Sequence, residues 1–128
     1  MIDERTKFIL VNDPSNPLGS SWSAEDKKAL IDLSIRRKLP ILVDEIYEGM
    51  LYGEKVPTFA ELVEEKQADE VLLFKCSGLT KRYLGPGWRM GWIILYGSKS
   101  NQDFYRPLIR GILNVILMPN TVVQKSVP

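Results

Sequence analysis

Three short apolar segments of the sequence are each followed by polar residues that could do chemistry. These residues are Asn16 after the first segment, Asp44 and Tyr47 after the second, and Lys81 after the third. Ligands of open α/β sheets collect beyond the carboxyl ends of the strands, so an amide, a carboxylate, a phenol and an amine could meet there. The pattern favours a polar ligand site at one edge of a sheet.

Taken one at a time, the same four residues have ordinary structural explanations. Asn16 stands between two prolines and is typical of a turn, and Asp44 at the end of a strand is typical of a helix N-cap. Tyr47, three residues later on that helix, could pack at the edge of the core with its hydroxyl satisfied. Lys81 could be a solvated surface lysine. The residue types alone therefore leave the ligand undecided.

Arg89 is a candidate phosphate ligand. It follows Gly85 and Gly87 closely, and a guanidinium group can hold a phosphate through two hydrogen bonds. The sequence has no glycine-rich loop leading from a strand into a helix and no Gly-Lys-Ser/Thr motif, which excludes a Walker loop and a dinucleotide fingerprint. Cys76 is predicted to be a small buried side chain beside the site.

The composition excludes several kinds of catalysis and binding. The 128 residues are about one domain's length, and 17 basic against 16 acidic residues give a net charge of +1. This balance favours neither nucleic acid nor a membrane, and no apolar run approaches the ~20 residues of a membrane-spanning helix. With no histidine and one cysteine, the sequence excludes histidine triads, imidazole metal sites and four-thiolate zinc sites, so we expect no metal. A single cysteine makes no internal disulfide, which agrees with a reducing setting, and we expect a cytoplasmic protein.

Short apolar runs alternate with amphipathic stretches along the chain. We predict strands over 8–11, 41–43, 71–74 and 88–96. Helices are predicted from Ser23 to just before Pro40, over 58–68, and over about 102–117, with Pro107 as an alternative start of the last. The side chains of the first helix that we expect to face solvent are Lys27, Lys28, Asp32 and Arg36. A further element is expected to begin within 122–127.

This order of elements predicts an α/β fold. Strands separated by helices imply parallel crossovers and a mostly parallel sheet with helices on both faces. The strand over 88–96 follows its predecessor through a loop too short for a helix, so we expect it to run antiparallel.

Four motifs in order resemble the fold type I aminotransferases, which depend on pyridoxal 5′-phosphate. They are Asn-Asp-Pro-Ser-Asn-Pro-Leu-Gly at 12–19, Asp-Glu-Ile-Tyr at 44–47, Ser-Gly-Leu-Thr-Lys-Arg at 77–82 and Pro-Gly-Trp-Arg-Met-Gly-Trp at 86–92. Together with the lead-in at 2–6, they resemble the branch of this family that acts on tyrosine. The similarity covers essentially all of the chain, and four motifs at the right spacing are far more specific than any one.

The resemblance implies a role for each candidate residue. Lys81 would bind the cofactor covalently and then act as general base and acid, moving the proton from the substrate Cα. Asp44 would face the pyridine nitrogen and keep it protonated, which makes the ring an electron sink. Tyr47 and Asn16 would hydrogen-bond the phenolic oxygen of the ring, and Arg89 would hold the phosphate.

The sequence departs from the family pattern at two positions. Many aminotransferases have a phosphate-binding serine three residues before the lysine, where this chain has Gly78. We expect Ser77 or Thr80 to take that place. Asp13 stands where relatives often have asparagine, which we interpret as a difference within a turn.

Family members are about three times as long as this chain. We therefore expect residues 1–128 to be the central part of the cofactor-binding large domain, without the N-terminal segment and the C-terminal small domain. The resemblance implies a homodimer that transfers an amino group from an amino acid, tyrosine or another aromatic one, to a 2-oxo acid such as 2-oxoglutarate. We expect this chain alone to bind cofactor weakly and to be inactive.

Three alternatives stay open at this level. One is an aminotransferase of other specificity, for alanine or aspartate, and another is a pyridoxal phosphate lyase on the same fold. The third is a non-catalytic α/β module that has lost cofactor binding.

Overall fold

The computed structural model describes residues 2–97, 101–116 and 118–127. The strands of this part of the chain are β1 (Ile9–Asn12), β2 (Ile41–Asp44), β3 (Leu73–Gly78) and β4 (Gly91–Tyr96). Its helices are α1 (Ala24–Arg37), α2 (Phe59–Glu65), α3 (Gln102–Val115) and α4 (Thr121–Ser126), with a single 3-10 turn at Pro86–Trp88.

The four strands form one mixed sheet in the order β1-β2-β3-β4. The pairs β1–β2 and β2–β3 are parallel, whereas β4 runs antiparallel to β3. Both directions were predicted, because a crossover that contains a helix makes strands parallel and a short loop reverses the chain. The register places Asn12, the last residue of β1, beside Asp44, the last residue of β2, and Asp44 beside Cys76 of β3.

Helices α1 and α2 pack on one face of the sheet. Alternate residues of each strand point to this face, where Ile31 of α1 and Phe59 of α2 are completely buried. The core residues are Val11, Ile31, Ile41, Val43, Phe59, Leu62, Val63, Val71 and Leu73.

Helix α3 packs on the opposite face through a group of aromatic rings. The ring of Phe74 on β3 meets those of Phe104 and Tyr105 edge to face, at centroid distances of 6.3 and 5.4 Å. The hydroxyl of Tyr105 donates to the Tyr96 carbonyl at 2.7 Å, and burial raises the pKa of Tyr105 to about 12. The prediction of helices on both faces is confirmed, although apolar side chains of this second layer remain exposed, among them Leu10, Ile93 and Ile109.

The helix boundaries follow capping chemistry. Ser23 caps α1 by accepting from the amide of Asp26 at 3.1 Å, as its position in the sequence predicts. Thr58 caps α2 in a capping box with Glu61. The short element predicted within 122–127 is a helix, α4, whose first amides donate to the side chain of Asn120.

The boundaries predicted for two strands are wrong. Strand β3 begins at Leu73 and continues to Gly78, because the polar residues after Phe74 stay in the ladder with β2 and β4. Strand β4 begins only at Gly91, since a 3-10 turn occupies Pro86–Trp88. Helix α3 begins at Gln102, which confirms the predicted start, and it contains Pro107, so the alternative start at that proline is wrong. None of the described helices has the length and apolar character needed to cross a bilayer.

Candidate functional site

The candidate site lies at the carboxyl edge of the three parallel strands. Asn12, Asp44 and Cys76 stand side by side there in register. The loops that continue beyond these strand ends carry Asn16 after β1 and Tyr47 after β2. Parallel pairing therefore brings residues that are about thirty positions apart in sequence to the same edge.

Asn16 is held in a tight loop and touches Tyr47. Its backbone amide donates to the Asn12 side-chain oxygen at 2.7 Å, which fixes the turn after β1. Its side-chain amide donates to the Tyr47 hydroxyl at 3.3 Å. The amide and the phenol thus meet on the exposed side of the strand edge.

Lys81 completes a cluster with these two residues. Its ammonium group lies 5.2 Å from the centre of the Tyr47 ring, within cation–π distance. Among the described residues, Lys81 takes part in no ion pair. Its amine is therefore not committed to a carboxylate and is available to a ligand at the position where it meets Tyr47.

Asp44 lies at the same edge, half-buried, at the end of β2. One oxygen of its carboxylate accepts from the amide of Ile46 at 3.1 Å. The chain then forms turns over 46–49 rather than a helix, so the prediction that Asp44 caps a helix carrying Tyr47 is wrong. Burial raises the pKa of the Cys76 thiol, and the negative charge of Asp44 raises it further, which places that charge near the strand edge.

The structure does not bring Arg89 into this cluster. Arg89 follows the 3-10 turn with a left-handed backbone (φ 51°), is exposed, and donates to the Pro86 carbonyl at 3.2 Å. Ser77 lies in the last part of β3 and Thr80 in the loop before Lys81, both half-buried. Their hydroxyls form no hydrogen bond among the described residues, which leaves them available to a ligand.

The glycine at position 78 has a steric explanation. A Cβ atom there would lie 2.9 Å from the Met90 carbonyl oxygen and 3.1 Å from Gly91 Cα. A side chain at this position, serine included, would therefore require the backbone at Met90 and Gly91 to shift. The departure from the family pattern follows from the close pairing of Gly78 with Gly91 in the β3–β4 ladder.

Sequence reasoning missed a buried ion pair below the Asn16 loop. Lys27 was predicted to face solvent, yet its Nζ lies 2.6 Å from a carboxylate oxygen of Asp13, and both side chains are 2% exposed. The other Asp13 oxygen accepts from the amide of Trp22 at 3.0 Å, which closes the loop that contains Asn16. Lys27 also donates to the Pro57 carbonyl at 2.9 Å. Asp13 is thus an anchor of the loop and not merely a turn variant.

A second buried lysine was also missed. Lys75 on β3 pairs with Glu45 at 3.1 Å and with Glu48 at 2.7 Å. Its one signal in the sequence is a charge directly after an apolar run, which we interpreted as the end of the strand. The two carboxylates come from the turn after Asp44.

The side chains at this edge fit a pyridoxal cofactor by type and place. The unpaired amine of Lys81 suits an aldehyde, the charge of Asp44 suits a protonated ring nitrogen, and the donors of Asn16 and Tyr47 suit an oxyanion. Asn16, Tyr47 and Lys81 contact one another in succession, and Asp44 precedes Tyr47 by three residues.

Comparison with known proteins places this site in a family context. The family described as aminotransferase class I and II matches residues 1–124. Tyrosine aminotransferase from Dictyostelium discoideum is 38% identical over 132 residues, which cover 100% of this chain and 30% of that protein. Tyrosine aminotransferase from Homo sapiens is 38% identical over 129 residues, which cover 97% of this chain and 27% of that protein.

A solved structure shares the fold. Alanine aminotransferase from Pyrococcus furiosus matches with a TM-score of 0.82 and 28% identity, over 96% of this chain and 30% of that chain. This chain thus spans about 30% of the length of the relatives it matches. The likeness confirms an α/β unit of the kind found in aminotransferase large domains. With the family match over nearly all of its length, the chain belongs to the aminotransferase class I and II family.

Proposed function

We propose that the protein to which these residues belong is a pyridoxal phosphate-dependent aminotransferase. It transfers an amino group from tyrosine or another aromatic amino acid to a 2-oxo acid such as 2-oxoglutarate, and it works as a homodimer. The observation that carries this proposal is the convergence of Asn16, Tyr47 and Lys81 from three separate strand ends. Family membership supports the reaction class, and the two tyrosine aminotransferases at 38% identity support an aromatic donor.

In such a reaction the cofactor and Lys81 have different roles. Pyridoxal 5′-phosphate, when bound, supplies the aldehyde and the electron-withdrawing ring that accept the amino group. The amine of Lys81 holds the cofactor and carries the proton that leaves the substrate Cα. The ammonium group of Lys81 lies over the Tyr47 ring, 5.2 Å from its centre, and so stands at the strand edge beside Tyr47.

Asp44, Tyr47 and Asn16 set the electronic state of the ring in this proposal. Asp44 places a negative charge at the ring nitrogen and holds a proton there. The hydroxyl of Tyr47 and the amide of Asn16, already 3.3 Å apart, donate to the phenolic oxygen. Each contact stabilises charge at a defined atom, which is how a protein tunes this cofactor.

Arg89, Ser77 and Thr80 are the proposed phosphate ligands. The guanidinium of Arg89 donates a hydrogen bond to the Pro86 carbonyl, which it would exchange for the phosphate. A phosphate is the stronger partner because the hydrogen bond is then charge-assisted on both sides. Gly78 cannot contribute a hydroxyl, so the neighbouring Ser77 and Thr80 take the place of the usual serine.

A second candidate is an aminotransferase of another specificity. The alanine aminotransferase from Pyrococcus furiosus matches the fold of this chain with a TM-score of 0.82, which favours alanine as an alternative donor. Aspartate is a further alternative donor, and a lyase would use the same residues without an acceptor.

A donor screen with the full-length protein tests the proposal. Tyrosine, phenylalanine, alanine and aspartate are each supplied with 2-oxoglutarate and the cofactor, and the oxo-acid product is measured. We expect the highest kcat/KM with an aromatic donor, and no oxo-acid product when the acceptor is left out. A preference for alanine or aspartate would support the second candidate, and ammonia release without an acceptor would support a lyase. No product from any donor, in a folded protein, would overturn the proposed activity.

A further inference from the structure

Lys75 lies beneath the candidate site at the centre of a buried cluster of charges. It is on β3, six residues before Lys81, and its Nζ lies between carboxylate oxygens of Glu45 at 3.1 Å and Glu48 at 2.7 Å. Glu45 is 1% exposed and Lys75 is buried, whereas Glu48 is half-buried. One lysine therefore joins two acidic residues that are three positions apart.

The two carboxylates flank the residue that meets Lys81. Glu45 and Glu48 enclose Tyr47 in the turn after β2, and the amide of Glu48 donates to the Glu45 carbonyl at 2.9 Å. The amide of Met50 donates to the Tyr47 carbonyl at 3.0 Å. Lys75 therefore ties both ends of the turn that contains Tyr47 to β3.

The charges in this cluster depend on one another. Burial raises the pKa of Glu45, and the Phe59 amide and Lys75 oppose that rise. Burial also disfavours the charge on Lys75, but the hydrogen bond with Glu48 and the charge of Glu45 outweigh it, so the pKa of Lys75 is raised. Glu45 Oε1 accepts from the Phe59 amide at 3.0 Å, while Oε2 has no hydrogen-bond partner among the described residues and relies on its ion pair with Lys75.

We propose that Lys75 is a positioning residue for the reaction, which acts through Glu45 and Glu48 on the placement of Tyr47. This inference rests on the proposed function, since Tyr47 matters to the reaction only as a donor to the cofactor. Among the described residues, Lys75 forms no ion pair with Tyr47 or Lys81, and its ammonium group pairs with Glu45 and Glu48. Its effect is therefore geometric: loosening the 45–48 turn displaces the phenol from its contacts with Asn16 and Lys81.

The variant that tests this inference is Glu48→Gln in the full-length protein. It weakens the turn at its half-exposed end and leaves Lys75 paired with Glu45, so no buried lysine loses its only counter-charge. The matched control is Glu65→Gln, which makes the same change at a surface pair where Glu65 lies 3.3 Å from Lys28. Tyr47→Phe supplies the reference for complete loss of the phenol.

Two readouts separate positioning from a structural role. The first is amide hydrogen exchange of the cofactor-free protein over residues 45–50, which reports on the turn itself. The second is the pH midpoint of the absorbance of the protein-bound cofactor, which reports on donors at its phenolic oxygen. We expect Glu48→Gln to speed exchange in this turn and to move the midpoint in the direction of Tyr47→Phe, by about half of that shift or more. Glu65→Gln should change neither quantity.

Three outcomes would overturn the inference. Unchanged exchange over 45–50 would show that the ion cluster does not hold the turn. Faster exchange with an unchanged midpoint would show that the cluster stabilises the fold without placing Tyr47. If borohydride fails to fix the cofactor to Lys81 in the wild-type protein, the proposed function fails and this inference fails with it. If the cofactor is fixed to Lys81 but Glu48→Gln does not shift the pH midpoint of its absorbance, this inference alone is overturned.

Discussion

The ammonium group of Lys81 lies 5.2 Å from the centre of the Tyr47 ring, although the two residues come from different strands and are 34 positions apart. The hydroxyl of the same tyrosine accepts from the amide of Asn16 at 3.3 Å. Tyr47 therefore contacts Lys81, the proposed base, through its ring and the amide of Asn16 through its hydroxyl. The parallel register of β1, β2 and β3 is the cause, since it aligns the three strand ends from which these side chains leave.

Replacing Lys81 by alanine should remove the proposed covalent anchor and base together. We expect Lys81→Ala to lower kcat of the full-length enzyme at least about a thousandfold, since general acid–base and nucleophilic roles are lost at once. Turnover with an aromatic donor is the measurement. Lys125→Ala, at an exposed lysine of α4, is the control and should retain full activity. Substantial turnover by the Lys81 variant would assign the base elsewhere.

Replacing Asp44 by asparagine removes a charge and keeps a hydrogen bond. The asparagine oxygen can still accept from the Ile46 amide, so the turn after β2 should persist. We expect kcat to fall by more than about a hundredfold, because the protonated ring nitrogen loses its counter-charge. Asp69→Asn, at an exposed position before β3, makes the same change away from the site. Equal rates for the two variants would show that another group holds the ring nitrogen.

The buried Asp13–Lys27 ion pair should contribute far more to the free energy of unfolding than the exposed Lys28–Glu65 pair. Lys27→Met leaves Asp13 buried and uncompensated, so we expect a loss of about 3–5 kcal/mol in the free energy of unfolding. Lys28→Met breaks a surface pair with Glu65 and should cost less than about 1 kcal/mol. Urea unfolding of both variants decides between them.

The double variant completes this test. Adding Asp13→Asn to Lys27→Met removes the stranded charge, so stability should recover in part. The single variant Asp13→Asn completes the cycle. If the double variant loses as much stability as Asp13→Asn and Lys27→Met together, Asp13 and Lys27 do not interact.

A methyl group at position 78 should force two strands apart. Gly78→Ala places its Cβ 2.9 Å from the Met90 carbonyl oxygen, and we expect a loss of about 1–3 kcal/mol in the free energy of unfolding. Gly87→Ala is the matched control, because within the described part of the chain no atom other than those of its own chain neighbours lies within 4 Å of the added Cβ. Thermal unfolding compares the two, and similar midpoints would mean that β4 moves away at little cost.

Glu61 gives the fold a dependence on acid pH. A hydrogen bond with Lys55 and another with the Thr58 amide lower the pKa of Glu61 from 4.5 to about 2. Because the folded-state pKa is depressed, the stabilisation is complete above about 4.5 and is lost as the pH falls through about 2. The stability advantage of wild type over Glu61→Gln should therefore be small but constant near neutral pH, and should shrink between these values.

Unfolding measured from pH 7 to pH 2 checks this expectation. Glu64→Gln, at an exposed position of the same helix, is the control and should show no comparable change. An advantage of wild type over Glu61→Gln that stays constant down to pH 2 would contradict the account.

The elements and their directions were predictable from the sequence because they depend on local signals. Ser23 marks the start of α1, a helical crossover makes β1 and β2 parallel, and the short connection from β3 to β4 makes that pair antiparallel. The meeting of Asn16, Tyr47 and Lys81 follows from the same topology, since parallel strands end at one edge.

The buried lysines were not predictable, because their partners are distant in sequence. Lys27 has the spacing of a solvent-facing residue on α1, and only the folded loop places Asp13 beside it. Lys75 ends an apolar run, and its partners Glu45 and Glu48 lie about thirty residues earlier. Lysine is rarely buried without a partner, so the sequence alone favours solvent at both positions.

Lys81 is the residue that we propose binds the cofactor covalently. The most direct measurement is borohydride reduction of the full-length protein with pyridoxal 5′-phosphate, followed by mass mapping of its peptides. We expect one stoichiometric pyridoxyl adduct, on Lys81, that disappears in Lys81→Ala and persists in Lys125→Ala. An adduct on another lysine, or label scattered over several lysines of a folded protein, would contradict this assignment.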